Sequence, residues 1–266
     1  MLSGHIVDGH VHVVARDLVR FPQHPSGVGS RWYEEHPVDA DGFTAVSDES
    51  GVARAVLVQA YGAYGTDNAY VLHAAAAAPE RHRAVVVLAS DDEQLDARVD
   101  ELAANAAFGG VRVFAIGDPA PNPLDHPGTR RIFAAARAHG FPLVVATLPH
   151  GLDPLAKLLR AFPGVPVALD HCGFAPAPVL TPFAAHANLH LKVTAHVLED
   201  AVQPALVVEA LVGSFGASRV AWGSDFPQID GHTYAELVAL GVDACGGLTV
   251  TDRELVLGGT AARLWF

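Results

Sequence analysis

Short apolar runs rich in Val, Ile and Leu recur eight times along the chain. They fall at His5–Val13, Arg54–Ala60, Arg83–Ala89, Gly110–Ala115, Pro142–Thr147, Pro166–His171, His190–Ala195 and Arg219–Asp225. Most are continuously apolar and do not alternate with polar residues, which predicts parallel strands covered on both faces. Between them lie segments with helical periodicity. Asp67–Ala78 opens on Asp and Asn and runs through consecutive alanines, and Gln94–Ala106 places Leu95, Val99 and Leu102 on one face. Thr129–Ala138 ends before Gly140, Leu152–Phe162 ends before Pro163, and Pro204–Phe215 starts on Pro and stops at Gly216.

Strand and helix alternating eight times predict a closed (β/α)₈ barrel, and the 266 residues suit one such domain spanning 1–266. A doubly wound open sheet is the competing architecture. Against it, Asp8-Gly9-His10-Val11-His12 stands where a glycine-rich phosphate loop would follow the first strand. The long Pro- and Gly-rich stretch Asp17–Asp39 carries Phe21, Trp32 and Tyr33, and these aromatics point to a lid over the barrel mouth.

Composition narrows the partners. The net charge is −12 and Lys157 and Lys192 are the only lysines, which argues against nucleic acid or an anionic membrane as a partner. Cys172 and Cys245 form no disulfide framework and lack metal-knuckle spacing. The start of the chain has no signal-peptide pattern, and no apolar run reaches transmembrane length. The expected setting is cytoplasmic, with homo-oligomerisation open.

The strongest chemical signal is Asp8-x-His10-x-His12 on the first strand. Residues two apart share a strand face, so all three polar side chains are expected to point into the barrel, near its catalytic C-terminal mouth. The sixth strand ends in Asp170-His171, and the eighth in Ser224-Asp225 before Phe226-Pro227. A lone H-x-H pair is more often structural than catalytic, and a strand-end Asp often only caps a helix. At the ends of strands one, six and eight, however, these residues would meet, because strand eight of a closed barrel lies beside strand one.

The segments VDGHVHV, TDNAYVLHAAAAAPERHR, GGVRVF, LLRAFPGVPVALDHCG, LHLKVTAH, VAWGSDFPQ and LGGTAARLW resemble, in order, the amidohydrolase superfamily in its amidohydrolase-2 branch. Within it the chain is most similar to 2-pyrone-4,6-dicarboxylate lactonases and related sugar-lactone and muconolactone hydrolases. The resemblance implies a distorted (β/α)₈ TIM barrel with His10, His12, His171 and Asp225 as catalytic residues. It implies a divalent metal ion, Zn or Mn, on His10, His12 and Asp225, with His171 as a further ligand. The chain departs from metal-loaded members at strand five, where Ala146 and Thr147 replace a His or Lys and His150 follows late. Relatives lacking that ligand include metal-independent enzymes, so both alternatives stay open.

The implied reaction is hydrolysis of a lactone or related carboxylic ester, with Asp225 activating water and the histidines stabilising the oxyanion. Arg112 is a candidate clamp for a substrate carboxylate, with a structural ion pair as its equal alternative. Lys192 among apolar residues needs a counter-charge, either substrate or Asp170. His196, Gln59 and Tyr61 are further candidate substrate contacts. Cys172 reads as a buried thiol, not a nucleophile. His73, His82, His139 and His186 are expected in helices or at their ends, in packing or surface roles. Two rival functions are a metal-dependent decarboxylase of an aromatic or enol acid, and a barrel that binds without catalysis.

Overall fold

A computed structural model describes residues 6–28, 31–117 and 121–266. Eight strands, β1 (Ile6–Val11), β2 (Val52–Val58), β3 (His82–Val87), β4 (Phe108–Ala115), β5 (Leu143–Thr147), β6 (Val167–Leu169), β7 (Leu189–Thr194) and β8 (Val220–Gly223), follow one another in spatial order. Every neighbouring pair is parallel. The ring closes where Asp225 N donates to His10 O and His12 N to Phe226 O, each at 2.8 Å. This is the expected (β/α)₈ barrel, and the open sheet is excluded.

The apolar runs are buried on both faces, as their composition requires. Val7, Val56, Val58, Val85, Val144, Ala168 and Ala221 fill the barrel floor with Ala261 and Trp265, while intervening residues such as Ala55, Leu57, Leu143 and Val145 pack under the helices. Above the floor the inward positions turn polar, at Arg112, Asp170, Lys192 and Thr194, all buried. Hydrophobic packing thus fixes the lower barrel and leaves the C-terminal end for chemistry.

The expected helices form at Ala69–Ala77, Leu95–Ala103, Pro127–His139, Leu152–Ala161 and Pro204–Phe215. Two further ones, Ala40–Glu49 and Tyr234–Ala244, start at side-chain caps, Asp39 on Gly42 N and a Thr233/Glu236 capping box. Between β6 and β7 only the short helix Ala177–Leu180 and two 3₁₀ turns, Asp170–Phe174 and Thr181–Ala185, intervene, which distorts the barrel there. Strands β6 and β8 stop before His171 and Asp225, because both residues adopt left-handed φ (51° and 57°) that ends strand pairing. His82 does not lie at a helix end: it opens β3 and is buried. Among the described residues, no helix is long and apolar enough to cross a membrane.

Candidate active site

β1 carries the first surprise. Asp8 pairs in register with Ala55 and Val11 with Leu57, so β1 holds one residue more than β2 over that stretch. Such a bulge breaks the two-residue alternation. Asp8 is therefore turned away from the histidines: it accepts hydrogen bonds from His10 N (3.0 Å), Ser224 N (2.9 Å) and the Tyr234 hydroxyl (3.1 Å). The expectation that Asp8, His10 and His12 share one face is corrected; only the histidines face the site. Asp8 instead ties β1 to β8 and to the outer helix. Burial raises its pKa to about 6, against those hydrogen bonds.

His10, His12, His171 and Asp225 do converge. Asp225 Oδ1 lies 3.4 Å from His10 Nε2 and 3.2 Å from His12 Nε2; Oδ2 lies 3.9 Å from His171 Nδ1 and 3.0 Å from His196 Nε2. Asp225 is wholly buried, yet neither oxygen meets an aligned hydrogen-bond donor. The histidine partners suggest why. His12 Nδ1 faces Val58 O at 2.9 Å, so it carries the proton, and its Nε2 presents a lone pair. His10 Nδ1 sits 3.2 Å from Asp170 Oδ1, which likewise draws the proton to Nδ1. The two Nε2 atoms then face each other at 3.1 Å beside a carboxylate oxygen. Three electron-rich atoms gathered in a buried site are the donor set of a cation. Facing ligand atoms of His10, His171 and Asp225 all lie within 4.8 Å of one another. The residues therefore fit a metal ion. His150 is exposed and brings no ligand from the end of β5.

Beneath this group lies a buried charge network. Arg112 Nε contacts Asp170 Oδ2 at 2.7 Å, and Lys192 Nζ contacts Asp170 Oδ1 at 3.1 Å. Burial alone would raise the Asp170 carboxyl, but Lys192, His10 and Arg112 outweigh it and hold it well below the usual range. Asp225 behaves alike: burial pushes it up, while His10, His171 and contacts from His12 and His196 bring it well below. Burial depresses His10 strongly and His171 to about 4, so both imidazoles are neutral near pH 7. Burial also lowers His196, but its contact with Asp225 prevails and raises it.

A cavity of about 240 Å³ opens above these groups, lined by His12, His171, His196, Arg112, Gln228 and the aromatic residues Trp32, Tyr61, Phe114 and Phe174. Trp32 stacks on His12 (centroids 5.7 Å apart), so the aromatic stretch after β1 does cover the mouth; Phe21 packs on Tyr70 and His73 instead. His196, Tyr61 and Arg112 reach the cavity. Lys192 does not: its ammonium is fully buried between Asp170 and the Trp265 ring, 4.9 Å from the ring centroid. Gln59 does not either, because its amide donates to Gly65 O and Asp67 O and holds the loop after β2. Cys172 is buried with its thiol pushed up to about 12, too high for a nucleophile. Sequence reasoning missed Thr194, whose hydroxyl meets His171 Nδ1 at 2.8 Å, and Gln228, 3.4 Å from His196. Thr194 ends β7 on the inward face, which its parity with Lys192 signals.

Comparison with known proteins places this geometry. The amidohydrolase family model Amidohydro_2 matches residues 7–266. An L-fucono-1,5-lactonase of Burkholderia ambifaria is 28% identical over 283 residues, covering 97% of this chain and 94% of the relative. Among solved structures, a protein described as a 2-pyrone-4,6-dicarboxylic acid hydrolase from Pseudomonas putida superposes with a TM-score of 0.80 at 23% identity, covering 99% of this chain and 98% of the other. An amidohydrolase from Burkholderia multivorans with bound zinc superposes with a TM-score of 0.80 at 20% identity, covering 97% and 98%.

Proposed function

Because the chain belongs to the amidohydrolase family over residues 7–266, we propose that it is a lactone hydrolase whose general base is Asp225. The observation carrying this reading is the buried Asp225 carboxylate, both oxygens without an aligned donor, lying directly behind the cavity-lining His12, His171 and His196 at 3.2, 3.9 and 3.0 Å. Asp225 takes a proton from water as its oxygen attacks the lactone carbonyl carbon. With Thr194 donating to His171 Nδ1, His171 Nε2–H is free to hold the developing oxyanion. The ring C–O bond then breaks, the proton on Asp225 passes to the departing alkoxide, and a hydroxy acid results. His196, at hydrogen-bond distance from Asp225 Oδ2, keeps the carboxylate oriented. His10, His12 and Asp225, with His171 nearby, would hold a zinc or manganese ion, which when bound polarises the carbonyl and acidifies water.

The discriminating experiment is turnover of a lactone panel in ¹⁸O-labelled water, read by mass spectrometry. Label entering the product carboxylate supports hydrolysis. Release of CO₂ from an aromatic or enol acid, with no lactone opened, would replace the proposal by decarboxylation. No turnover of either class, before and after zinc or manganese loading, would leave a binding barrel.

A further inference from the structure

The lining of the cavity goes beyond the reaction type and bears on what the lactone carries. Resting on the lactonase reading above, we infer that the site selects a flat, largely unhydroxylated lactone ring bearing a single carboxylate, and that Arg112 with the aromatic wall sets this choice.

Arg112 is the one Lys or Arg among the described residues lining the cavity. Its Nε is committed to Asp170, and among the described residues its two Nη groups make no hydrogen bond. Lys192 keeps the other Asp170 oxygen, so Arg112 can turn its outer edge to a ligand without leaving Asp170 unpaired. A guanidinium edge of this kind matches one carboxylate in a bidentate fork. Among the described residues of this lining, no second Lys or Arg stands ready for a second carboxylate.

The rest of the wall is apolar and flat. Tyr61 and Phe114 stack at 4.2 Å with 21° between planes, Trp32 covers His12, and Phe174 covers His171 at 5.0 Å; Val28, Ala60 and Ile116 fill between them. Apart from the groups assigned to the reaction, Gln228, the Tyr61 hydroxyl and the Trp32 indole N–H are the neutral side-chain hydrogen-bonding groups among the described lining residues, fewer than a polyhydroxylated ring presents. A polyhydroxylated sugar ring would bury several hydroxyls against this wall without partners, and each such group is costly. A planar unsaturated ring meets the aromatic faces without that penalty.

The test compares four substrates with the wild-type protein in a pH-stat: an unsaturated lactone with one carboxylate, its methyl ester, a pyrone dicarboxylate and an aldono-1,5-lactone. The expected kcat/KM favours the monocarboxylate over its methyl ester by about ten- to a hundredfold, the range of a charged hydrogen-bonded contact. It also favours it over the aldonolactone and the dicarboxylate. Independently of turnover, 2-furoate should compete in binding where 2-furamide does not. A methyl ester, aldonolactone or dicarboxylate turned over equally well or better overturns this inference while leaving lactone hydrolysis standing. Absence of turnover for all four, with no furoate binding, overturns both.

Discussion

Replacing Asp225 with Asn separates the chemistry of this residue from its place in the fold. The side chain is wholly buried, with imidazole nitrogens of His12 and His196 at 3.2 and 3.0 Å. Its backbone has φ 57°, a conformation that Asn tolerates almost as well as Gly. An isosteric amide therefore keeps the turn out of β8 and the contact of residue 225 N with His10 O. What it loses is basicity, and with it the means to take a proton from water. Loss of a positioned general base costs about 10²–10⁴ in rate, or about 3–5 kcal/mol of transition-state stabilisation. The assay is initial-rate lactone hydrolysis in a pH-stat with the spontaneous rate subtracted, beside circular dichroism and a melting curve for the variant. The expected result is a drop of at least about a hundredfold in kcat with a wild-type spectrum. A folded D225N protein retaining more than about a tenth of wild-type kcat would refute the assignment of Asp225 as base.

Three further outcomes follow from particular contacts. Purified protein should carry about one equivalent of zinc or manganese by elemental analysis, and His10→Ala should lose it; metal-free wild-type protein with full activity would refute the ligand set. Gly223→Ala should lower activity more than stability, because the new Cβ would stand 2.8 Å from His10 Cβ and 2.9 Å from His10 N; unchanged kcat would show that His10 can give way. His82 is buried, and that burial lowers its pKa to about 4. The unfolded chain thus binds a proton first, near pH 6.5, so stability is complete above that pH and is lost as pH falls from 6.5 towards 4. Urea denaturation should show a loss of about 2 kcal/mol from this group between pH 7.5 and pH 5, absent in His82→Gln; equal pH dependence in both would refute it.

The barrel was legible because continuous Val/Ile/Leu runs have one inexpensive solution, a parallel sheet buried on both faces. His10, His12, His171 and Asp225 were legible because each interrupts an apolar run at its C-terminal end. Asp8 was not, since alternation cannot reveal an extra residue inserted between Asp8 and Val11. Lys192 and Gln59 looked like substrate contacts from position alone. Their partners, Asp170 with Trp265, and the carbonyls of Gly65 and Asp67, lie far off in sequence or in a loop whose path no periodicity encodes. Arg112 makes the structural ion pair, with one edge on Asp170, and also stands in the cavity wall, where the sequence could not say which neighbours it would meet.

The left-handed backbone at His171 and Asp225 also limits which mutant libraries can be informative. At such positions most side chains with a Cβ meet a conformational cost of roughly 1–2 kcal/mol, larger for β-branched residues and smaller for Asn and Asp, whose short polar side chains hydrogen-bond locally. Saturation mutagenesis at 171 or 225 would then report two filters at once, one on whether the polypeptide accumulates and one on whether it turns over substrate. Val, Ile and Thr would vanish from the expressed pool before their chemistry was sampled, while Asn and Gly would survive to be assayed. Selections aimed at new reactions in this scaffold are better directed at Phe114, Ile116 or Gln228, whose backbones carry no such restriction.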